Sequence, residues 1–406
     1  MNGSATFFPF NKKREDRNKV TESNETLPMR SVLITALNLF LCSLLIPLAL
    51  AGSETAAYAL SLAACLTSTI VMFTSSKKTS HAVFYTIGMV IFLGMSILPL
   101  VPALVLGTVV AIGSGAALIS SAKGWQKVIV PVLAILSVIA SAIICGDILI
   151  ATISLAVFIP TLALGISSRN KASFSTSAIA GAAAMIFTVL VAIGALIFAM
   201  FGSLTVDTLL QAVDTVAADL ISSTEISMKE LLGLEVNEAM RNMIVYVVDY
   251  YINVSIGLLI AACLVVSYFA LKIEQNSLEA HGIDRLIDEH TTTLSVGIIP
   301  ALLFVAALVM SFSLDAFNNA SIVAIVADNI CIILFPALLV MTSRAIRELP
   351  RKLGFIGLLL SGIIVLLIMV ALYAFPMAIA LVGAIFVIFE HIDSWAKEHY
   401  SKGENQ

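Results

Sequence analysis

The chain alternates between long apolar stretches and short polar breaks along nearly its whole length. Most of the apolar stretches contain about twenty residues, which is the length an α-helix needs to cross the roughly 30 Å hydrocarbon layer of a bilayer. Twelve segments can be delimited, at 31–52, 55–74, 82–101, 103–121, 128–144, 148–167, 176–201, 243–271, 294–314, 320–341, 353–373 and 377–391. The pattern predicts an all-α protein, a polytopic bundle of transmembrane helices.

Two regions leave the number of spans open. Residues 82–121 and 353–391 each contain a proline at the break between their two halves, Pro102 and Pro376. Because proline removes a backbone hydrogen-bond donor, each region is compatible with two full spans or with a broken, re-entrant helix. The prediction is therefore ten to twelve spans.

Basic residues are distributed unevenly between the two sides that this alternation defines. With the N-terminus inside, twenty of the twenty-two Lys and Arg residues fall in the amino-terminal tail or in the inner breaks, and only Lys229 and Arg241 fall outside. Cytoplasmic loops of membrane proteins carry an excess of Lys and Arg. The distribution therefore predicts that both termini are cytoplasmic.

The same pattern divides the chain into five parts. Residues 1–30 are predicted to be a disordered cytoplasmic tail, 31–201 hold about seven spans, 202–242 form a long outer connection, 243–392 hold about five spans, and 393–406 form a second cytoplasmic tail. The long outer connection thus separates an amino-terminal membrane core from a carboxy-terminal bundle.

The outer connection has an amphipathic pattern. Apolar residues from Val206 to Leu220 recur at helical spacing with acidic residues between them. A second helix is predicted to begin at Ser227, where Glu230 completes a capping box. The seven acidic and two basic residues of 202–242 give a net charge of −5, which anionic lipid would repel. We expect the segment to cover the outer mouth of the bundle, and a protein-docking surface is the alternative.

Composition narrows the possible functions. Hydrophobic residues make up 60% of the chain, charged residues 12%, and the mean hydropathy is +1.04, which soluble globular domains do not reach. A formal charge of −4 argues against a nucleic-acid partner. The five cysteines lie in or beside separate apolar segments, and the histidines lie near the cytoplasmic side. The sequence has no intramembrane HExxH motif, no P-loop and no GxGxxG turn. We therefore expect no enzymatic activity, no cofactor and no metal, and we predict that 272–293 is a solvated loop or short helix.

Two acidic residues, Asp249 and Asp328, lie inside predicted spans with no Lys or Arg at their depth. A lone carboxylate in hydrocarbon must be neutral, hydrated or balanced by a bound cation. Asp328, with Asn329 beside it, is a candidate proton- or substrate-binding site, and a carboxyl hydrogen-bonded to another helix is the alternative. Asp249 lies one turn from Asn253, among tyrosines typical of a membrane interface, and is either an interfacial residue reached by water or an outer ligand contact.

Small residues mark one helix face. Gly107, Ala111 and Gly115 stand at positions i, i+4 and i+8, so this face is predicted to pack closely against another helix. Asn38, in the first span, is predicted to form hydrogen bonds between helices.

Several features together resemble the YybS-like family of uncharacterised bacterial membrane proteins over roughly 31–395. These features are the tight amino-terminal hairpins, the acidic outer connection and the carboxy-terminal end of the last span. The most specific motifs are Leu231-Leu232-Gly233-Leu234 and the group Ile392, Asp393 and Trp395. The chain departs from the family pattern in its longer polar tail and in Ala396-Lys397-Glu398. The resemblance implies a bacterial cytoplasmic membrane and an amino-terminal core like the substrate-binding subunits of energy-coupling-factor vitamin transporters. It brings no catalytic residues.

These observations favour a membrane protein that binds or moves a small solute, with proton linkage through Asp328. The alternative is a non-transporting scaffold that docks another membrane protein. In either case the lipid bilayer is a partner of most of the chain.

The predicted topology can be tested by labelling a cysteine introduced in the outer connection, in the variant Ser223→Cys. We expect a membrane-impermeant thiol reagent to label it from the outside of intact cells, with the unsubstituted chain as the background. Labelling only from the cytoplasmic side would overturn the whole topology.

Overall fold

The structure is a computed structural model that describes residues 26–52, 54–76, 79–95, 100–232, 236–283, 296–315, 322–374 and 377–403. Within these ranges the chain forms helices joined by turns, and no β-strand occurs there. The predicted all-α class is therefore confirmed. The amino-terminal tail predicted over 1–30 lies almost entirely outside the described residues.

The longer helices are numbered here in chain order. They are α1 (Met29–Leu50), α2 (Glu54–Ser75), α3 (Thr79–Met95), α4 (Thr108–Ser120), α5 (Gln126–Cys145), α6 (Leu155–Arg169), α7 (Phe174–Phe201), α8 (Val206–Leu232), α9 (Glu238–Asn253), α10 (Ser255–Ala280), α11 (Ile298–Asp315), α12 (Ile322–Ala374) and α13 (Met377–Gly403). Short helical turns at Ile148–Ala151 and Thr152–Ser154 lead into α6.

Most of these helices have the length and composition of membrane spans. Among the described residues, nine helices are long and apolar enough to cross a bilayer, and three shorter apolar helices accompany them at Thr79–Gly94, Ile298–Ser313 and Gly354–Val365. Each of the twelve overlaps one of the apolar segments delimited in the sequence. The protein is therefore a polytopic bundle of apolar helices.

The surface of the bundle requires a hydrocarbon environment. Large apolar side chains are exposed along whole helix faces, for example Ile135 and Ile143 on α5 and Ile179 and Phe187 on α7. Contiguous apolar surfaces of this extent are not found on proteins surrounded by water. In a bilayer these faces contact lipid tails, while the helices satisfy their own backbone hydrogen bonds.

The two proline-containing regions differ in structure. A helical turn at Leu100–Pro102 and a π-helical turn at Ala103–Gly107 run directly into α4, so the helical stretch begins before Pro102. Proline is tolerated there because the first turn of a helix leaves its backbone N–H groups unpaired. Near the carboxy-terminus, α12 turns back on itself at Gly354, whose φ is +56°, and Ser361 donates a hydrogen bond to the carbonyl of Ile346. Pro376 lies outside the described residues.

The buried apolar residues form two main groups. The larger cluster draws on α1 to α7 and also includes Cys263, Ala270 and Leu278 of α10. The second cluster draws on α11, α12 and α13. The sequence placed 243–271 with the carboxy-terminal spans. In the structure α10 packs with the amino-terminal helices and also contacts α12, where Ala261 lies against Ile332. Hydropathy shows that a segment is apolar but not which neighbours it packs against.

Glycines allow α10 to approach the amino-terminal helices closely. A Cβ on Gly113 of α4 would lie 2.5 Å from the carbonyl oxygen of Ala270 and 2.9 Å from the Cβ of Ile273. A Cβ on Gly181 of α7 would overlap Leu164 and Ser267. The Ser267 hydroxyl also donates to the carbonyl of Ala178 at 2.7 Å. Helix α10 is therefore packed backbone to backbone, as is usual where small residues line helix contacts in membranes.

The outer connection differs from its prediction in two respects. Helix α8 continues through Ser227 without a break, and the second helix, α9, begins instead at Glu238, where the Asn237 side chain accepts a hydrogen bond from the Met240 N–H at 2.8 Å. Apolar residues of α8 such as Leu209 and Val213 are exposed, and α8 contacts mainly α9, with a smaller contact to α7. The structure therefore shows a helical hairpin rather than a cover over the bundle.

The inner connection after α10 also begins later than predicted. Helix α10 extends to Ala280, so the first part of 272–293 continues this helix and is partly buried rather than forming a solvated loop or a separate short helix. Residues 284–295 lie outside the described residues. His281 ends the helix: its Nδ1 lies 2.8 Å from the carbonyl oxygen of Ser277, and its Nε2 lies 2.9 Å from the hydroxyl of Ser31. This contact joins the end of α10 to the start of α1.

The close contact at Gly113 generates a stability prediction. Gly113→Ala is expected to lower the free energy of unfolding by about 1–3 kcal/mol, because the added methyl group meets a backbone carbonyl that cannot move aside. Gly88→Ala is a matched control, since a Cβ there has nothing within 4 Å. That change should be neutral or slightly stabilising. Thermal unfolding of both variants in detergent measures the difference, and equal midpoints would contradict the contact.

Candidate functional site

Asn329 of α12 forms hydrogen bonds with two backbone groups at the interruption between α9 and α10. In a continuous helix the Gly257 N–H would donate to the Asn253 carbonyl four residues earlier. Here the Gly257 N–H donates to Asn329 Oδ1 at 2.7 Å, and Asn329 Nδ2 donates to the Asn253 carbonyl at 2.9 Å. A single carboxamide therefore bridges the two backbone groups that the break at Val254 separates.

The approach of Asn329 depends on a glycine. A Cβ on Gly257 would lie 2.7 Å from Asn329 Oδ1 and 3.1 Å from its Cα and backbone oxygen. Asn329 Nδ2 also donates to the Ile325 carbonyl at 2.8 Å, one turn earlier in α12. Asn329 is therefore held in place from both sides, and this site joins the two groups of helices.

Asp328 lies beside Asn329 but faces a different neighbour. The Ser311 hydroxyl of α11 donates a 2.5 Å hydrogen bond to Asp328 Oδ1, and the side chain is half-buried. This is the geometry of the interhelical hydrogen bond that the sequence left open as an alternative.

The four predicted polar residues are only partly brought together. Asn329 and Asn253 meet, although Asn253 contributes its backbone carbonyl rather than its side chain. Asp249 lies exposed on α9, one turn before Asn253. Asp328 points toward α11. The structure therefore does not gather these residues around one centre.

The predicted packing face on the fourth span lies in the interior. A Cβ on Gly107 would lie 3.3 Å from the Ser68 hydroxyl, and one on Gly115 would lie 2.7 Å from the Thr161 methyl group. Ala111, between them, is fully buried. This face thus contacts several amino-terminal helices.

A polar cluster around Asn38 joins α1 and α2. Asn38 Oδ1 accepts hydrogen bonds from Thr67 at 2.9 Å and Ser68 at 2.8 Å. These are interhelical bonds of the predicted kind. Asn38 Nδ2 is buried and has no hydrogen-bond partner.

The most unusual polar residue is Glu274, which the sequence reading assigned to the inner connection. It lies six residues before the end of α10 and is fully buried. The Ser168 hydroxyl of α6 donates to Glu274 Oε2 at 2.8 Å, and Ser120 of α4 also faces the carboxyl. Glu274 Oε1 has no hydrogen-bond partner. Among the described residues, no Lys or Arg forms an ion pair with it.

Gln275, the next residue, is equally unusual. Its side chain is buried, and neither its amide oxygen nor its amide nitrogen has a hydrogen-bond partner. Most buried side-chain polar groups in folded proteins have at least one partner, and those that do not call for an explanation. Two consecutive residues of α10 thus carry three buried polar atoms without partners.

Helical periodicity contained a signal for this site. The buried residues Ala270, Leu271, Glu274, Ser277 and Leu278 follow the spacing of one helix face. Because several charged residues follow Leu271, the apolar run appeared to end there. Extending the helical pattern by two turns would have placed Glu274 on the buried face.

Comparisons with known proteins identify no relative. No protein-family model matches the sequence, no curated protein is significantly similar to it, and no solved structure matches its fold. The resemblance to the YybS-like family therefore stays a prediction. Any function has to be argued from the chain's own residues.

The chemistry that Glu274 offers is hydrogen bonding and proton transfer. Among the described residues, no group of three or more His, Cys, Asp or Glu side chains is arranged to hold a metal ion. The carboxyl of Glu274 can take up or release a proton, and its unpaired oxygen can accept a hydrogen bond from a bound molecule. The Asn329 site, by contrast, has its carboxamide engaged with the backbone.

The Asn329 bridge can be tested with two asparagine variants. Asn329→Leu should lower the free energy of unfolding by about 1–3 kcal/mol, since it leaves the N–H of the buried Gly257 without its acceptor and removes the donor to the Asn253 carbonyl. Asn253→Ala should have little effect, because only the backbone carbonyl of Asn253 takes part. Thermal unfolding in detergent compares the two. A large loss for Asn253→Ala, or none for Asn329→Leu, would contradict this role.

Proposed function

We propose that this protein binds or transports a small solute across a membrane, with proton linkage through Glu274. The observation that carries the proposal is the fully buried carboxyl of Glu274, hydrogen-bonded through one oxygen and unpaired at the other. Ionisable residues inside membrane spans are rare and usually functional, because placing them there is costly.

The unpaired oxygen distinguishes this residue from a purely structural hydrogen-bonding group. Leaving a buried polar atom without a partner costs about 1–3 kcal/mol. A carboxyl that served only to join α10 to α6 would do so at lower free-energy cost as a glutamine or serine with all its groups paired. A binding step that supplies a proton or a hydrogen-bond donor accounts for a carboxyl in this state.

Glu274 is a stronger candidate than Asp328, the residue that the sequence favoured. Asp328 is half-buried and accepts a short hydrogen bond from Ser311, whereas Glu274 is fully buried. Helix α10 also lies between the two groups of helices, since it packs with the amino-terminal group and contacts α12 through Gly257 and Asn329. A change at Glu274 is therefore placed to affect both groups.

The wider setting forms part of the same proposal. The predicted topology has both termini in the cytoplasm and places Glu274 in the inner third of its span, about 9 Å from the helix end by helical rise. A bacterial cytoplasmic membrane, the absence of enzymatic activity and an amino-terminal core like vitamin-binding transporter subunits stay predictions.

A second candidate function rests on the outer helical hairpin. The exposed apolar residues of α8, including Leu209, Val213 and Leu220, form a surface bordered by acidic residues. This observation favours the scaffold alternative, in which the hairpin docks a partner protein. The two functions are separated by whether the purified protein retains a small molecule.

The proposal can be tested by incubating the purified protein with a small-molecule extract at pH 6 and pH 8 and identifying retained compounds by mass spectrometry. We expect the wild-type protein to retain at least one compound in a pH-dependent manner and to move it into proteoliposomes. Glu274→Gln preserves the shape of the side chain but cannot titrate. It should abolish the pH dependence.

Matched variants separate this result from a general effect. Glu279→Gln changes a half-buried carboxyl near the end of the same helix, and it should behave as the wild type. Asp328→Asn should also keep the pH dependence if Glu274 carries it. Retention of no compound by the wild type, or unchanged pH dependence in Glu274→Gln, would refute the proposal.

A further inference from the structure

An apolar seam runs along the exposed side of α8. Its residues recur at alternating intervals of three and four positions, and they are Val206, Leu209, Val213, Val216 and Leu220. Each of these residues is between 41% and 72% exposed. In the part of the chain that the structure describes, the contacts of α8 with α7 and α9 therefore leave the seam uncovered. Contiguous apolar surface of this kind usually marks an interaction site.

The spacing of the seam is that of a two-stranded coiled coil. Four intervals span the fourteen positions from Val206 to Leu220, an average of 3.5 residues. This is the spacing of positions a and d of a heptad repeat, at which paired helices interlock. Val206 and Val213 occupy position a, and Leu209 occupies position d between them. Because β-branched residues at a with leucine at d favour two strands, the seam fits one further helix of the same kind.

The acidic residues of α8 do not oppose the pairing of identical helices. Asp207 and Asp214 occupy position b, away from the seam. Asp219 occupies position g, and in a parallel pair it lies opposite position e of the next heptad, which is Thr224. The remaining e and g positions beside the seam carry no charge. Like charges therefore do not meet across a parallel pair, although the helix as a whole is acidic.

The hairpin presents α8 in one direction. Glu225 of α8 pairs with Arg241 of α9 at 3.2 Å, and the short connection 233–237 makes the two helices antiparallel arms. Helix α9 leads back into the span α10, so α8 leads away from the bundle. Two copies with the same orientation in a membrane are related by a two-fold axis along the membrane normal. Their α8 helices therefore run in the same direction.

We propose that α8 pairs in parallel with α8 of a second copy through this seam, which makes the protein a homodimer. A seam of about two heptads is short for free helices, whose coiled coils usually extend over at least three or four. Here α8 is already ordered in the hairpin and both copies are held in one membrane, which lowers the entropy lost on association. The bilayer surface is a poorer occupant, because the connection 202–242 has a net charge of −5 and anionic lipid repels it.

The inference names the partner for the hairpin of the second candidate function. It rests on the seam of α8 and does not depend on the function proposed for Glu274.

Cysteine crosslinking of the full-length protein in native membranes tests the pairing. Val213→Cys places a thiol at position a, and Gln211→Cys is a matched control at position f on the opposite side of the helix. Both residues are exposed in the single chain. Under mild oxidation we expect severalfold more covalent dimer from Val213→Cys than from Gln211→Cys, with the unsubstituted chain as background. Val206→Cys should also crosslink, because identical residues meet along a parallel seam. Equal yields from Val213→Cys and Gln211→Cys would overturn the proposal.

A charge in the seam should separate the two copies. Val213→Asp places carboxylates opposite one another, whereas Gln211→Asp places the same charge at position f. Because both side chains are exposed, the single chain should fold in either variant. Photobleaching of labelled protein at low density in vesicles counts the chains in each particle. We expect two steps for the wild type and Gln211→Asp, and one step for Val213→Asp. Single steps for the wild type, or two steps for Val213→Asp, would refute the homodimer.

Other occupants of the seam give different results. If α8 rests on the bilayer, brominated lipids will quench a fluorophore attached to Val213→Cys, and the particles will contain single chains. If another protein covers the seam, crosslinking in cells will give a product whose mass differs from twice the 43.1 kDa of one chain. Either result would overturn the homodimer. The second would leave the docking function of the hairpin in place, and neither bears on the pH dependence assigned to Glu274.

Discussion

Every backbone polar group inside a bilayer has to find its hydrogen bond within the protein, and the structure depends on this constraint. Within a continuous helix the backbone N–H and C=O groups pair with one another. Side chains have to supply hydrogen bonds only where a helix is interrupted. The break between α9 and α10 is the clearest case, because Asn329 supplies both the acceptor and the donor that the interrupted helix lacks. The same side chain thereby connects α12 to α10, so a local backbone requirement also joins the two groups of helices.

Helix α10 is the central element of this arrangement. Gly113 and Gly181 admit it into the amino-terminal group, and Gly257 admits Asn329 from the other side. On its buried face Glu274 contacts α6, and its apolar outer face forms one wall of a groove shared with α7, α11 and α12. A buried carboxyl and the contact between the two helix groups therefore lie on a single helix.

Polar residues in this membrane protein serve two physically different purposes. Asn38 and Asn329 join helices, because their side-chain oxygens accept hydrogen bonds from groups on a neighbouring helix. At Glu274 and Gln275, buried polar atoms are left without partners at a cost in free energy. A fully buried carboxyl with an unpaired oxygen is a better guide to function than the mere presence of an acidic residue within an apolar segment. An unpaired atom alone is not enough, since the structural amide of Asn38 also has an unpaired nitrogen.

The sequence by itself determined that the chain is all-α and crosses a membrane many times, because the length and period of apolar runs reflect the thickness of the bilayer and the geometry of the helix. It also predicted the amphipathic outer connection and the interhelical role of Asn38. Only the tertiary structure decided that α10 packs with the amino-terminal helices, that Glu274 is buried, and that Asn329 bridges Asn253 and Gly257. Those features depend on contacts between residues about 70 to 110 positions apart, such as Asn329 with Gly257 and Glu274 with Ser168. Local hydropathy cannot predict such contacts, because it depends only on residues that are neighbours in the sequence.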